Sequence, residues 1–227
     1  RMTAYHEAGH ALVTFHEPAS DPIHKATIIP RGRALGMVVR LPERDTYSYH
    51  RDKMYANLSI AMGGRVAEEL IFGYDKVSSG ASGDIQMATG LARSMVTQWG
   101  MSDKMGPLQY EEQQGETFLG YSQTQRHNMS NETAQLIDSE IRALVEGGHA
   151  QATKILKKNI KQLHTLANAL LEYETLTGDE ITALLKDGTP PDRSGVDHNQ
   201  PKALKAGGSS IPKTRKRGIG GAAAQGA

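Results

Sequence analysis

The chain has 227 residues, of which 38% are hydrophobic and 22% are charged, and its formal net charge is +1. This length suits one domain with an appendage, and the scarcity of aromatic residues favours a core of aliphatic side chains in packed helices. Because the chain contains no cysteine, disulfides and thiolate metal ligands are excluded, and only histidine and carboxylate remain as strong metal ligands.

The first forty residues contain one helical segment and two extended ones. Residues 2–16 lack proline and predict a helix. Two short β-rich segments, 25–30 and 34–41, predict strands, and the turn-prone sequence Pro30-Arg31-Gly32 separates them. A small β element is therefore predicted close to the N-terminus.

The middle of the chain returns to helical patterns. A helix is predicted over about residues 48–71, with an interruption at the glycine pair Gly63-Gly64. A Gly/Ser-rich loop over residues 74–83 then leads into a helix over about residues 84–99.

The region that follows is predicted to be irregular before it becomes helical again. Residues 100–129 predict loops with one or two strands, around Leu108 and Phe118. Over residues 130–174 apolar residues recur at helical spacing and predict two helices, with a kink or break at Gly147-Gly148.

The last helix and the tail complete the predicted architecture. Thr177 and Glu180 have the spacing of a capping box, which predicts the start of a short final helix. We therefore predict a mainly α domain over residues 1–187, followed by a disordered tail over residues 188–227 that is rich in Gly, Ala and Pro. The tail has seven basic and two acidic residues, a charge of +5, which leaves −4 for residues 1–187. A tail of this composition cannot bury enough apolar surface to fold, so its basic run is interpreted as solvated and no nucleic-acid partner is expected.

The segment TAYHEAGHALV carries the pattern H-E-x-x-H at His6, Glu7 and His10. On a helix the two histidines lie about 40° apart and ~6 Å along the axis, so both imidazoles can reach one ion from the same face. Glu7 points about 100° from His6, near such an ion but not at it, where it can take a proton from a water molecule. The pattern predicts two zinc ligands and a general base.

Four residues are candidates for the third ligand. His16 has the spacing of the metzincin pattern, but Val13 stands where that pattern needs a glycine to end the helix, so His16 is interpreted as a helix-end residue. Glu68 and Glu69 suit the downstream glutamate of thermolysin-like enzymes, and they also suit an ion pair or a hydrogen bond to a ligand histidine. Asp84 follows a Gly/Ser-rich loop at a predicted helix start. Spacing alone leaves Asp84 and the glutamate pair open.

A resemblance extends over residues 1–187 and rests on six segments in order. They are TAYHEAGHALV, IIPRGRALG, GGRVAEELIFG, SSGASGDIQMAT, LARSMVTQWGMSDKMGPL and FLGY. Together they resemble the peptidase domain of the FtsH family, membrane-anchored AAA+ zinc metalloproteases of bacteria, mitochondria and chloroplasts. Gly83 stands where relatives usually have Asn, Met105 stands where Leu is common, and the basic tail has no counterpart.

The resemblance implies a specific site and reaction. The zinc ligands would be His6, His10 and Asp84, and Glu7 would be the catalytic base of a zinc endopeptidase that attacks the peptide bond with a zinc-activated water. Unfolded or membrane proteins would be the substrates. The segment Ala34 to Leu41 is a candidate for substrate capture through its edge, unless it is an internal strand covered on both edges.

The resemblance also implies partners and a location. It implies a homo-hexamer built through a protease ring, with an AAA+ ATPase module and a membrane anchor preceding Arg1. The chain contains no G-x-x-x-x-G-K-[ST] motif, so ATP is expected to be needed only by the ATPase module. The expected location is the cytoplasmic face of the bacterial inner membrane, or else a mitochondrial or chloroplast membrane. Two alternatives are a catalytically inactive ring-assembly module of the same fold and a zincin of another family with Glu68 or Glu69 as ligand.

Overall fold

The computed structural model of the chain describes residues 1–32, 35–42, 48–110 and 129–192. Within these ranges the protein is mainly α-helical, with one small antiparallel sheet, as predicted. The helices are α1 (Met2–His16), α2 (Arg51–Phe72), α3 (Ser82–Thr97), α4 (Asn131–Lys158), α5 (Ile160–Tyr173) and α6 (Gly178–Asp187), and the strands are β1 (Ile23–Thr27), β2 (Met37–Arg40) and β3 (Thr175–Thr177). Two 3₁₀ turns, Tyr74–Lys76 and Ser79–Ala81, lie between α2 and α3.

Helix α2 is central and continuous, so the predicted interruption at Gly63-Gly64 is wrong. The glycines serve a close crossing of α1 and α2. A Cβ atom added to Gly9 would overlap the carbonyl oxygen of Gly63, and one added to Gly63 would lie 2.8 Å from the carbonyl oxygen of Gly9. The absence of side chains therefore lets the two backbones touch, and the cost of helical glycine is offset by packing.

Helix α4 packs against α2 and runs unbroken through Gly147-Gly148, so the predicted kink or break there is wrong as well. A Cβ added to Gly148 would lie 2.9 Å from the backbone carbon of Leu58, which makes this glycine a second helix-crossing point. The break between the two predicted helices falls at Asn159 instead, where the backbone leaves the helical region (φ −116°, ψ 32°).

The sheet has the strand order β2-β1-β3, with both neighbouring pairs antiparallel. Met37 of β2 pairs with Thr27, and Thr177 of β3 pairs with Lys25. The third strand was not predicted, because three residues are too few for an alternating pattern and its pairing partner is distant in sequence. Among the described residues β2 lies at the edge of the sheet, with β1 as its one paired neighbour.

Residues 1–191 form one compact unit. Its core consists of buried, mainly aliphatic side chains from all six helices and the sheet, among them Leu12, Leu58, Leu156, Leu163 and Leu166. The predicted capping box is confirmed: the Thr177 hydroxyl accepts from the Glu180 N–H, while the Glu180 carboxylate accepts from the Thr177 N–H. Residues 101–110 contain no strand, so the one predicted around Leu108 is wrong.

The remaining predictions concern residues at the margins. Phe118 and residues 193–227 lie outside the described residues, so the second strand and the disordered tail stay predictions. None of the described helices is both long and apolar enough to cross a membrane.

Candidate metal centre

The histidines of the H-E-x-x-H segment lie in α1 with their Nε2 atoms 3.1 Å apart. The Nδ1 atom of each ring faces an acceptor: His10 donates to the Ile60 carbonyl oxygen at 2.7 Å, and His6 donates to Glu68 Oε1 at 2.8 Å. Because a carbonyl or carboxylate oxygen can only accept, these contacts place the ring proton on Nδ1. In the neutral rings both Nε2 atoms are thereby left with a lone pair for a metal ion.

Asp84, in the first turn of α3, brings its carboxylate to the same point. Its Oδ2 atom lies 3.2 Å from His6 Nε2 and 3.5 Å from His10 Nε2. A tetrahedral zinc ion with bonds of about 2.0–2.1 Å holds its ligand atoms roughly 3.3 Å apart, so this triangle of atoms fits zinc. Among the described residues it is the one cluster of His, Asp and Glu side chains that fits a metal ion.

Glu68 supports the site from α2. It is 1% exposed and accepts three hydrogen bonds: from His6 Nδ1, from the Ser78 N–H at 2.7 Å and from the Ser78 hydroxyl at 3.1 Å. A buried carboxylate is costly unless it is hydrogen-bonded in this way. Both oxygens are occupied by these partners, so Glu68 orients His6 instead of joining the cluster of ligand atoms.

Gly64 gives the two imidazoles their space. A Cβ atom there would lie 2.5 Å from His10 Nε2 and 2.6 Å from His6 Nε2. The glycine pair of α2 therefore has two uses, since Gly63 contacts the backbone of α1 and Gly64 contacts the side chains that α1 carries.

Glu7 differs from its neighbours because it is buried without a hydrogen bond. Its side chain is 6% exposed, yet no group among the described residues hydrogen-bonds its carboxylate. Burial raises the pKa of Glu7, and the charges of His10 and His6 offset part of that rise. An unpaired, nearly buried carboxylate beside two convergent imidazoles is typical of a catalytic base.

The electrostatics of the other groups favour cation binding. Burial raises the pKa of Asp84, but the hydrogen bonds it accepts from His10 and His6 when these are protonated outweigh that effect, and the pKa lies well below its usual range. Burial lowers the pKa of His6, while its hydrogen bonds with Asp84 and Glu68 outweigh that and leave the pKa raised. Asp84 therefore stays ionised, and the carboxylates around His6 make the site attractive to a positive charge.

The other candidate ligands lie in different contacts. His16 is the last residue of α1, as predicted for a helix-end residue, and its Nε2 atom lies 2.9 Å from Gln162 Oε1. Glu69 forms the predicted ion pair with Arg65 at 2.7 Å and a second contact with His149 Nε2 at 3.1 Å. Neither residue belongs to the described metal-fitting cluster.

Three contributors to the site were missed from the sequence. The Ile60 carbonyl has no sequence signal, because any residue supplies a carbonyl. Ser78 had only the general signal of a Ser/Gly-rich loop. Gly64 had a clear signal, the glycine pair, which was interpreted as a helix interruption although it equally indicates close packing.

Comparison with known proteins identifies the chain. Residues 1–184 match peptidase family M41. The chain is 57% identical over 193 residues to the ATP-dependent zinc metalloprotease FtsH of Caulobacter vibrioides, an alignment that covers 85% of this chain and 31% of that protein. It is 58% identical over 189 residues to FtsH of Neorickettsia risticii (83% and 28%) and 52% identical over 183 residues to FtsH of Photobacterium profundum (81% and 26%).

The chain thus spans less than a third of the length of these relatives. It belongs to peptidase family M41 and corresponds to the peptidase region of FtsH.

Proposed function

We propose that this chain is the zinc-dependent endopeptidase domain of an ATP-dependent protease and hydrolyses peptide bonds. The observation that carries the proposal is the convergence of three ligand atoms, His6 Nε2, His10 Nε2 and Asp84 Oδ2, beside the unpaired carboxylate of Glu7. Membership of peptidase family M41 and the similarity to ATP-dependent zinc metalloproteases support it independently.

The zinc ligands in this proposal are His6, His10 and Asp84. Bound by these three groups, zinc supplies Lewis-acid chemistry, since it polarises a carbonyl group and makes water more acidic near neutral pH. Two neutral imidazoles and one carboxylate leave the ion a net positive charge, which this chemistry requires. Glu68 and Ile60 keep both imidazoles in the required tautomer by accepting from their Nδ1 atoms.

Glu7 is the proposed general base. Its carboxylate takes a proton from the water that attacks the scissile carbonyl and then gives that proton to the leaving amine. A carboxylate with a raised pKa holds the transferred proton better than an ordinary one, which suits it to both steps. Since no hydrogen bond from the described residues occupies them, both oxygens are available for water and for the amine.

The free edge of β2 is the proposed substrate site. Strand β1 occupies one edge of β2, and no other strand among the described residues pairs with its second edge. An extended peptide that adds to this edge gains main-chain hydrogen bonds without demands on its side chains. Such binding suits unfolded chains of varied sequence, which are the substrates we propose, together with membrane proteins.

The remaining parts of the proposal concern the whole protein. We propose a homo-hexamer assembled through a ring of these domains, with an AAA+ ATPase module and a membrane anchor N-terminal to this segment. ATP is needed by that module, and the domain faces the cytoplasm at the bacterial inner membrane, or lies at a mitochondrial or chloroplast membrane. The partial coverage of the relatives supports a longer whole protein.

Metal analysis tests the site. We expect about one zinc ion per purified chain, lost in Asp84→Ala and kept in the control His16→Ala, whose histidine bonds Gln162 instead. Zinc that remains in Asp84→Ala would contradict this ligand set.

Hydrolysis tests the reaction. The chain should cleave an unfolded protein such as casein, stop when a chelator removes the metal, and recover when zinc is restored. Zinc-loaded chain that leaves unfolded protein and short peptides uncut would favour the inactive ring-assembly module. Because short peptides need no ATP-driven unfolding, the peptide assay distinguishes the absence of the ATPase module from the absence of peptidase activity.

A further inference from the structure

The Glu7 carboxylate is held in position without hydrogen bonds from the described residues. One neighbour of this side chain is Gly36, the residue before β2. A Cβ atom added to Gly36 would lie 2.6 Å from Glu7 Oε1 and 2.7 Å from Glu7 Cγ. The backbone of Gly36 therefore packs directly against this side chain, at a distance that only glycine permits.

The backbone at Gly36 cannot move away from Glu7 without meeting β1. The same added Cβ would lie 2.8 Å from the carbonyl oxygen of Thr27. Thr27 belongs to β1 and pairs with Met37, the residue after Gly36, so the strand pairing fixes this carbonyl relative to Gly36. Of the two obstacles, one is paired backbone and the other is a side chain with rotatable bonds. A side chain at position 36 would therefore displace Glu7 in preference to the strand.

We propose that Gly36 is a positioning residue for hydrolysis: its bare backbone fixes the Glu7 carboxylate relative to the metal-ligand atoms and to the edge of β2. This inference rests on the proposed function, in which Glu7 is the base and β2 binds substrate. It also assigns the register of the substrate. Glu7 lies at the Gly36 end of β2, whereas Arg40 is ~13 Å away along an extended strand. The scissile bond of a peptide bound to β2 therefore lies opposite Gly36 and Met37.

The test compares Gly36→Ala with Gly147→Ala. An added Cβ at Gly147 meets nothing within 4 Å, so the same chemical change there has no steric consequence. In crystal structures of the two zinc-loaded variants, we expect the Glu7 carboxylate to be displaced by roughly 0.5–1 Å or more in Gly36→Ala only, since atoms 2.6 Å apart must separate to van der Waals contact. Zinc content should equal that of the unchanged chain in both variants.

Peptide kinetics provide the second readout. We expect kcat to fall tenfold or more in Gly36→Ala while KM changes less than threefold, because a displacement of about 1 Å at the reacting centre costs up to about 100-fold in rate. A purely structural role would instead lower the zinc content while the zinc-loaded fraction keeps its kcat. In the double variant Gly36→Ala/Glu7→Asp, the shorter carboxylate side chain relieves the contact. The Gly36→Ala change should therefore lower the melting temperature less in the Glu7→Asp background than in the unchanged chain.

Three results would overturn the inference. They are a Glu7 carboxylate that keeps its place while β2 shifts, an unchanged kcat in spite of a displaced carboxylate, and loss of zinc from Gly36→Ala. If the proposed function fails, the results are different. Glu7→Gln would then retain turnover, while Gly36→Ala would still displace the Glu7 side chain. Where turnover is too slow to measure, the crystal structures alone decide the positioning role.

Discussion

The helical side of the metal centre and its strand side are built by different means. On the helical side, hydrogen bonds fix the side chains: His6 donates to Glu68, His10 donates to the Ile60 carbonyl, and Ser78 donates twice to Glu68. On the strand side, β2 has one unpaired edge among the described residues, and its four residues are only partly buried. Gly36 meets Glu7 there by contact alone.

The difference follows from what each side must do. A metal ion tolerates only small changes in the separation of its ligand atoms, so the ligands need rigid support from buried partners. A peptide substrate of variable sequence needs main-chain donors and acceptors that are still free. Variants of the helical side should therefore change metal binding, and changes on the strand side should affect turnover or substrate binding. Glu7 lies between the two sides and provides the sharpest test.

Glu7→Gln should have the largest effect on turnover. The amide cannot accept the proton of the attacking water, so kcat should fall by about 10²–10⁴-fold, the usual contribution of general acid–base catalysis. Zinc content should stay unchanged, because Glu7 does not join the ligand cluster. Steady-state peptide hydrolysis beside metal analysis of the same sample measures both. Retained turnover would remove Glu7 from its proposed role.

Gly64→Ala should have the next largest effect, on metal affinity. Its methyl group would lie 2.5–2.6 Å from the Nε2 atoms of His10 and His6, which must then move apart. We expect zinc affinity to fall roughly 100-fold or more, as measured by competition with a chromogenic chelator. Gly147→Ala, which adds a methyl group in open space, is the matched control. Equal affinities in the two variants would contradict the view that Gly64 makes space for the ligands.

Glu68→Gln should weaken zinc binding more mildly. The amide keeps one oxygen that can accept from His6, but its NH₂ group then faces the N–H of Ser78, which is also a donor. Loss of such a partner to a ligand histidine typically costs about 10–100-fold in metal affinity. The control is Glu69→Gln, one residue further along α2, which contacts Arg65 and His149 instead. A chelator competition in which Glu69→Gln loses as much zinc as Glu68→Gln would contradict the orienting role.

The strand side is best tested through the substrate. Two versions of one peptide are methylated on alternate backbone nitrogens, at even positions in one and at odd positions in the other. Pairing with the edge of β2 uses the N–H groups of only one set, and each lost hydrogen bond is worth about 0.5–1.5 kcal/mol. We expect roughly tenfold weaker binding for one version and little change for the other, measured as KM or inhibition constant. Equal losses would contradict edge-strand pairing.

The H-E-x-x-H residues could be predicted from the sequence because they are local. A helix fixes the relation of His6, Glu7 and His10 through its own geometry, without reference to the rest of the fold. The third residue of the cluster could not be predicted in this way. Spacing left Asp84, Glu68 and Glu69 open, and only the family resemblance favoured Asp84. The packing of α3 against α2 and α4 is a tertiary property, and so is the hydrogen bond that gives Glu68 its orienting position.

The two glycine pairs show that tertiary contacts can overturn a local prediction. Gly63-Gly64 and Gly147-Gly148 were interpreted as helix breaks because glycine has low helix propensity, yet α2 and α4 are continuous through both pairs. The energy of close helix contact outweighs that local preference, and the contact partners cannot be known before the helices are packed.

By itself, then, the sequence determined the mainly helical composition, the capping box of α6 and the helix that carries His6, Glu7 and His10, since each depends on residues within a few positions of one another. The tertiary structure decided which carboxylate faces the imidazoles, which one orients them, why the glycines lie where they do and which strand has a free edge. These features depend on groups that are distant in the chain and meet only when α1, α2, α3 and the sheet have packed together.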